Sequence, residues 1–280
     1  MNAPDFLSAY YQNYDEDGRL ASRHGSVEFL TPMRYVEQHL SDGAKIIEIG
    51  AGTGRYSHAL ARRGYAVDAV ELTECNIEVF RRNTLPDEPV TVRQGDARNL
   101  SAFADGAYDI TLLLGPMYHL YTKEDALTAL REAFRVTRPG GVVFVSYCMT
   151  DPSIIGYGFK KGHINELLAG ALVDPVTFKA FSEPKEIFQL YRKADIDEMV
   201  RQLPAERLCF IAADGYTHHM PETVDAMDDA AFAVYLRYHF AICELPELVG
   251  WSHHTLDILR KNGPRSAAQC AARRRRSGVK

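Results

Sequence analysis

From Lys45 to Cys148 the chain alternates short β-branched apolar runs with longer helical patterns, an order that points to βαβ units stacked around a parallel sheet. Five strands are expected there: Lys45 to Ile49, Ala66 to Leu72, Val90 to Gln94, Tyr108 to Gly115 and Val142 to Cys148. Each is too hydrophobic to leave a face open to water, so helices must cover both sides. The expected helices are Arg55 to Arg63, Thr73 to Asn83 opening on an N-capping threonine, and Lys123 to Val136, whose apolar residues recur at helical spacing. Pro139-Gly140-Gly141 reads as the turn into the fifth strand.

Beyond Tyr147 the alternation lapses. Met149 to Arg192 is rich in Gly, Pro and aromatics and reads as an insertion. The core then resumes with a helix at Ala194 to Gln202, a sixth strand at Arg207 to Ala213 and a seventh at Thr255 to Arg260, with an aromatic-rich helix at Asp228 to Cys243 between the last two. The expected organisation is a helical segment over residues 1–40 acting as a cofactor lid, a ligand-binding core over 41–150, and a lid insertion over 151–192. The rest of the core, with its own helical lid insertion, follows over 193–263, then a disordered basic tail over 264–280.

A hydrophobic content of 46% is enough to build a sizeable core. The longest apolar runs, Tyr108 to Leu114 and Val142 to Tyr147, fall far short of the roughly 20 residues a membrane-spanning helix requires. Met1 to Tyr14 lacks the basic start and apolar stretch of a secretory signal, so a cytoplasmic location is expected. Five widely spaced cysteines without a C-x-x-C pair fit reduced thiols. A net charge of −5 offers no general attraction to a polyanion and argues against nucleic acid as the main partner. The exception, Arg273 to Arg276, reads first as a solvated terminus.

The stretch Glu48-Ile49-Gly50-Ala51-Gly52-Thr53-Gly54-Arg55 follows a strand and opens a helix, so its glycines allow a tight turn and close backbone approach to a ligand. A dinucleotide fingerprint would need a glycine where Arg55 stands. Glu71 closes the second expected strand, where a carboxylate can accept two hydrogen bonds from ribose hydroxyls, and Gly95-Asp96-Ala97 follows the third. The pattern E-x-G-x-G-x-G resembles motif I of class I S-adenosylmethionine-dependent methyltransferases.

That resemblance is close over Lys45 to Cys148 and looser over the final strands. It implies a Rossmann-like, mostly parallel seven-stranded α/β sheet with S-adenosylmethionine as cofactor and S-adenosylhomocysteine as product. Glu48, Gly50, Ala51, Gly52, Gly54 and Arg55 would form the cofactor loop, Glu71 and Leu72 would meet the ribose, and Asp96 and Ala97 the adenine. Gly115, Tyr14 and Arg19 complete the expected cofactor set.

Methyl transfer from a sulfonium is an in-line displacement, which needs positioning and dryness more than dedicated catalytic groups. Tyr118 and His119, after the fourth strand, are the catalytic candidates. His119 could act as a base or pack under the lid, while Tyr118 could hydrogen-bond or stack on the acceptor. Gly115-Pro116-Met117-Tyr118 departs from the Asp/Asn-Pro-Pro-Tyr form of many enzymes that methylate amino groups of nucleic acid bases or glutamine. Tyr10 and Tyr11 read as a docking helix. Tyr157, Phe159, His163, His218, His219 and His239 are candidate lining residues of an acceptor pocket roofed by the insertion and the aromatic helix. The pairs His218-His219 and His253-His254 point to opposite faces if extended, so no metal site is expected. A small-molecule methyltransferase is the leading reading, with no membrane partner and with a homodimer left open. The alternatives are an RNA or protein methyltransferase using the arginine tail, a non-catalytic nucleotide-binding module, and a nicotinamide-dependent oxidoreductase.

Overall fold

The computed structural model describes residues 3–263, so the arginine block and the 264–280 tail lie outside the described residues. Three helices, α1 (Ala3–Gln12), α2 (Glu16–Arg19) and α3 (Arg23–Glu37), precede the core. The core then runs β1 (Ile46–Ile49), α4 (Arg55–Ala61), β2 (Val67–Glu71), α5 (Glu74–Asn83), β3 (Val90–Gln94), β4 (Tyr108–Leu113), α6 (Lys123–Val136) and β5 (Thr137–Cys148). Next come α7 (Thr150–Ser153), a π-helical turn (Ile154–Lys160), α8 (Ile164–Ala169) and α9 (Lys193–Val200). The described residues close with β6 (Ala205–Ala212), α10 (Pro221–Asp225), α11 (Asp229–Ile242), α12 (Pro246–Val249) and β7 (His254–Lys261).

The strands form one seven-stranded sheet in the order β3-β2-β1-β4-β5-β7-β6. Strands β1 to β5 pair in parallel, and β7 runs antiparallel between β5 and β6. Successive side chains of β1 divide between the two faces. Ile47 and Ile49 join the core that includes Ala126, Leu130 and Phe134 of α6 and Ile196 and Met199 of α9, whereas Ile46 joins Val36 of α3 and Leu60 of α4. Helix α6 forms where the periodicity places it: Thr122 caps it by accepting from the Asp125 amide at 3.1 Å, and its apolar stripe is buried. Burial of Leu130 or Phe134 contributes about 1.5–3 kcal/mol each.

Three sequence expectations are corrected. Pro139-Gly140-Gly141 is not a turn before the fifth strand: β5 already pairs at Thr137↔Tyr108, bulges, and resumes at Val142↔Ile110. Thr73 sits at the N-cap of α5 without a side-chain capping bond, because its hydroxyl donates to Glu71 at 2.7 Å. Helix α11 does not roof the ligand cavity. It packs on α3, with His239 of α11 hydrogen-bonded to Thr31 of α3 at 3.0 Å and Arg23 paired with Asp229. No helix among the described residues is long and apolar enough to cross a membrane.

Candidate active site

The carboxyl ends of the parallel strands open into a cavity of about 340 Å³. Moving across the sheet, its wall is built from Gly95 to Arg98 after β3, Glu71 and Leu72 at β2, and Gly50 and Gly52 after β1. Gly115, Pro116 and Tyr118 to Tyr121 follow β4, Cys148 ends β5, His254 opens β7 and His253 precedes it. Tyr10, Tyr11, Tyr14, Glu16 and Arg19 close it from above, and Phe188 closes one side. Strand order thus becomes position along the cavity.

At the β1–β3 end the backbone is tightly pinned. The Gly50 and Ala51 amides both donate to Val70 O, at 2.8 and 3.0 Å, and the Gly52 amide donates to Glu71 Oε2 at 2.9 Å. A side chain at Gly50 would collide with Pro116 at 2.4 Å. Gly52, at φ +54°, differs: a Cβ there would meet only Glu16 Cγ, at 3.8 Å, so the loop presents bare backbone to open space. Glu71 Oε1 accepts from the Thr73 amide and hydroxyl at 2.9 and 2.7 Å and from Asn76 at 3.4 Å. Oε2 accepts only from the Gly52 amide, which leaves it a further lone pair. Asp96 is gripped by Arg98, whose Nη2 lies 2.6 Å away and whose Nη1 also reaches Asp125 at 3.0 Å. That pairing holds the Asp96 carboxyl below its usual range despite partial burial.

The other end is aromatic and titratable. Tyr10 stacks on Tyr14 at 5.0 Å and meets Phe188 edge-on. Arg19 is paired with Glu16 at 3.2 Å and with Glu28 at 2.7 Å. His119 Nδ1 donates to Ile187 O at 2.9 Å, and Tyr11 OH donates to His119 Nε2 at 3.1 Å. Burial pushes this imidazole down to about 4, so it is neutral, with both nitrogens engaged. It clasps α1 to the insertion. Tyr118 is half-buried beside it, its ring 5.7 Å from that of His254, and loss of solvent around it holds its phenol well above the ordinary value.

Residues 47–145 match the methyltransferase domain family. The ubiquinone biosynthesis O-methyltransferase of Stutzerimonas stutzeri (strain A1501) is 28% identical over 172 residues, 60% of this chain and 72% of that protein. The Bacillus subtilis (strain 168) protein YqeM is 27% identical over 111 residues, 39% of this chain and 44% of its own length, so this chain spans under half of that relative. Over residues 47–145 the chain therefore carries a methyltransferase domain. Solved structures share the fold: the CcbJ methyltransferase of Streptomyces caelestis has a TM-score of 0.56 at 14% identity, covering 94% of this chain and 99% of that one. A SAM-dependent methyltransferase of Methanosarcina mazei gives 0.55 at 14%, covering 82% and 98%.

The cavity presents a bare glycine backbone, a carboxylate at the β2 end and an arginine near the roof. Of the sequence candidates, Gly50, Gly52, Glu71, Leu72, Asp96, Ala97, Gly115, Tyr118, His119, Tyr14 and Arg19 share this one cavity. Glu48, Ala51, Gly54 and Arg55 do not line it. Glu48 is buried behind the loop, bonded to the Ser57 amide at 2.9 Å and to its hydroxyl, and burial pushes its carboxyl up to about 8. Gly54 packs against Phe80 and His58, and Arg55 lies over the Phe29 ring at 5.0 Å.

The proposed lining residues of the lid are elsewhere as well. Tyr157 stacks on His163, and both Tyr157 and Phe159 face outward. His218 stacks on His253, His219 bonds Trp251 O at 2.9 Å, and His239 is buried under α3. His253 and His254 do not point apart as expected, because His253 precedes the strand; their Nδ1 atoms lie 3.4 Å apart. Cys148 and Phe188 escaped sequence reasoning. The facing of Cys148 and His254 across β5 and β7 follows only once the antiparallel register is known.

Proposed function

We propose that this chain transfers the methyl group of S-adenosylmethionine to a small acceptor held in the same cavity. The observation that carries this is closure. The wall that begins with the glycine loop and Glu71 continues without a break under Tyr10, Tyr11 and Phe188, and the His119 clasp ties that roof down. A bounded chamber roofed by aromatic side chains suits a small molecule better than a polymer.

In this reading Gly50 and Gly52 lie against the cofactor, Glu71 Oε2 accepts from a ribose hydroxyl, Asp96 and Ala97 flank the adenine, and Tyr14 and Arg19 hold the amino-acid end. The cofactor supplies an electrophilic methyl group on a sulfonium. The protein aligns the acceptor with it and excludes water, and orientation of this kind can account for about 7–11 kcal/mol of a barrier. The relatives named O-methyltransferases favour oxygen as the acceptor atom.

The test is methyl transfer from radiolabelled S-adenosylmethionine to panels of small phenols, enols and amines, run against bulk RNA and protein. Label on a small molecule is the expected result. Label on RNA or protein alone would overturn this assignment.

A further inference from the structure

We propose that Phe188 is the door through which the acceptor enters: a strained turn at Ile187 carries it, His119 latches it shut, and its swing sets how large a flat acceptor can be seated. This rests on the methyl-transfer reading above, in which the acceptor occupies the aromatic end of the cavity.

Volume requires a door. The cavity of about 340 Å³ lies at the bottom of the range, roughly 300–1,000 Å³, that holds one drug-sized ligand. With S-adenosylmethionine along the β1–β3 end, an acceptor needs room that the closed chamber lacks, so part of the wall has to move. Phe188 is built to do so. It is half-buried between cavity and solvent, and its ring meets Tyr10 edge-on at 5.7 Å and leans on His119 at 5.6 Å.

The backbone that carries this ring is strained. Ile187 has φ +68° and ψ −46°, and the Phe188 amide donates to Glu186 O at 2.8 Å. That is the rare, unfavourable form of the three-residue turn, here imposed on a β-branched residue. The other non-glycine residues at positive φ among the described residues, Ala171 and Phe178, lie in the same insertion. Both flanks of the turn are pinned. Before it, the Glu183 amide donates to Glu186 Oε2 at 3.1 Å; after it, the Gln189 amide donates to Tyr118 O at 2.6 Å and Tyr191 OH to Met117 O at 3.1 Å. Strain held between two fixed points is released by rotation at Ile187 and Phe188, which carries the ring out of the wall.

What keeps the turn closed is its carbonyl. Ile187 O accepts from His119 Nδ1 at 2.9 Å and from Tyr121 OH at 2.7 Å. A carbonyl cannot donate, so Nδ1 carries the ring hydrogen and Nε2 is left to accept from Tyr11 OH at 3.1 Å. One imidazole thus ties down two covers, with one nitrogen for each: α1 above and the Phe188 turn at the side. His119 is a positioning residue, acting on the acceptor through Phe188.

Cys148 reports the opening, because it is buried and lines the cavity, so a thiol reagent has to enter the chamber to reach it. The full chain, saturated with S-adenosylhomocysteine, is treated with small methyl methanethiosulfonate or with flat, four-ringed pyrenylmaleimide, and label at each cysteine is followed by peptide mass spectrometry. Phe188→Ala should speed pyrenylmaleimide labelling of Cys148 about tenfold or more, and labelling by the small reagent by less. Ile187→Gly should slow both about threefold or more, since glycine adopts this backbone without strain and the closed turn gains. His119→Gln, whose amide reaches the Nε2 position and keeps Tyr11 but not Ile187, should label faster than wild type. His119→Asn, whose amide nitrogen replaces Nδ1, should restore most of the closure. All four variants should still bind S-adenosylhomocysteine, and Cys243, buried on the other face of the sheet, should keep its rate. Unchanged labelling of Cys148 in Phe188→Ala, faster labelling in Ile187→Gly, or equal acceleration at Cys243 overturns the door and leaves the methyltransferase reading standing. No binding of S-adenosylhomocysteine by wild type overturns that reading and the acceptor's passage with it.

Discussion

The two ends of the cavity are built in opposite ways. At the β1–β3 end, every wall residue lies within a few positions of a strand terminus, and the backbone itself does the work through the Gly50, Ala51 and Gly52 amides. At the β5–β7 end, the wall is assembled from side chains far apart in the chain: Glu28, Tyr118, Cys148, Asp214 and His254 meet only because β7 inserts antiparallel beside β5. A backbone-built site is constrained to one ligand shape. A site built from side chains on long connections can change its ligand without disturbing the sheet.

That contrast can be broken most severely at Gly52. A valine there forces a β-branched residue to φ +54° and fills the open space in front of the loop, so binding of S-adenosylhomocysteine should be lost in calorimetry while the chain stays folded. Normal binding would mean that the loop does not contact the cofactor. Next in size, Glu71→Ala should weaken that affinity by about 1–3 kcal/mol. Because Glu71 also holds the Gly52 and Thr73 amides, part of that loss should appear as a lower melting temperature without ligand.

How far each end was readable follows from the same contrast. The glycine loop, Glu71 and Asp96 are local signals at strand ends, and the structure gathers them on one edge. The roles of Glu48 and Arg55 were misread because spacing does not say which side of the loop a side chain takes; Glu48 shares the face of Ile46, toward α4. The Asp214–His254 pairing was invisible because it depends on the bend at Ser252 and His253 and on the register of β7. The aromatic helix α11 looked like a roof because composition cannot separate a lid from a helix packed on α3.

Two smaller effects sharpen the comparison. Glu48→Gln should raise stability with a sign set by linkage. The folded state binds the Glu48 proton more tightly than the unfolded chain, so the protonated form's contribution is fully present below about 4.5 and is lost as pH rises to about 8. The melting-temperature advantage of the variant should therefore grow between those values; a constant difference would mean that Glu48 is ionised in the fold. Tyr11→Phe removes one bond of the clasp and should cost about 0.5–1.5 kcal/mol in local stability. Amide exchange in α1 and around Ile187 should quicken while exchange in the β1–β3 loops stays as it was. Uniform quickening would show that the clasp is not local to the acceptor end.

The central claim is that this sheet edge holds S-adenosylmethionine through the backbone-built end. Calorimetric titration of the full chain with S-adenosylmethionine and S-adenosylhomocysteine, with NAD as control and Glu71→Ala alongside, tests it most directly. The account predicts saturable binding of both adenosyl ligands, weakened in the variant, and none of NAD. Binding of NAD instead, or adenosyl binding that Glu71→Ala leaves unchanged, would contradict it.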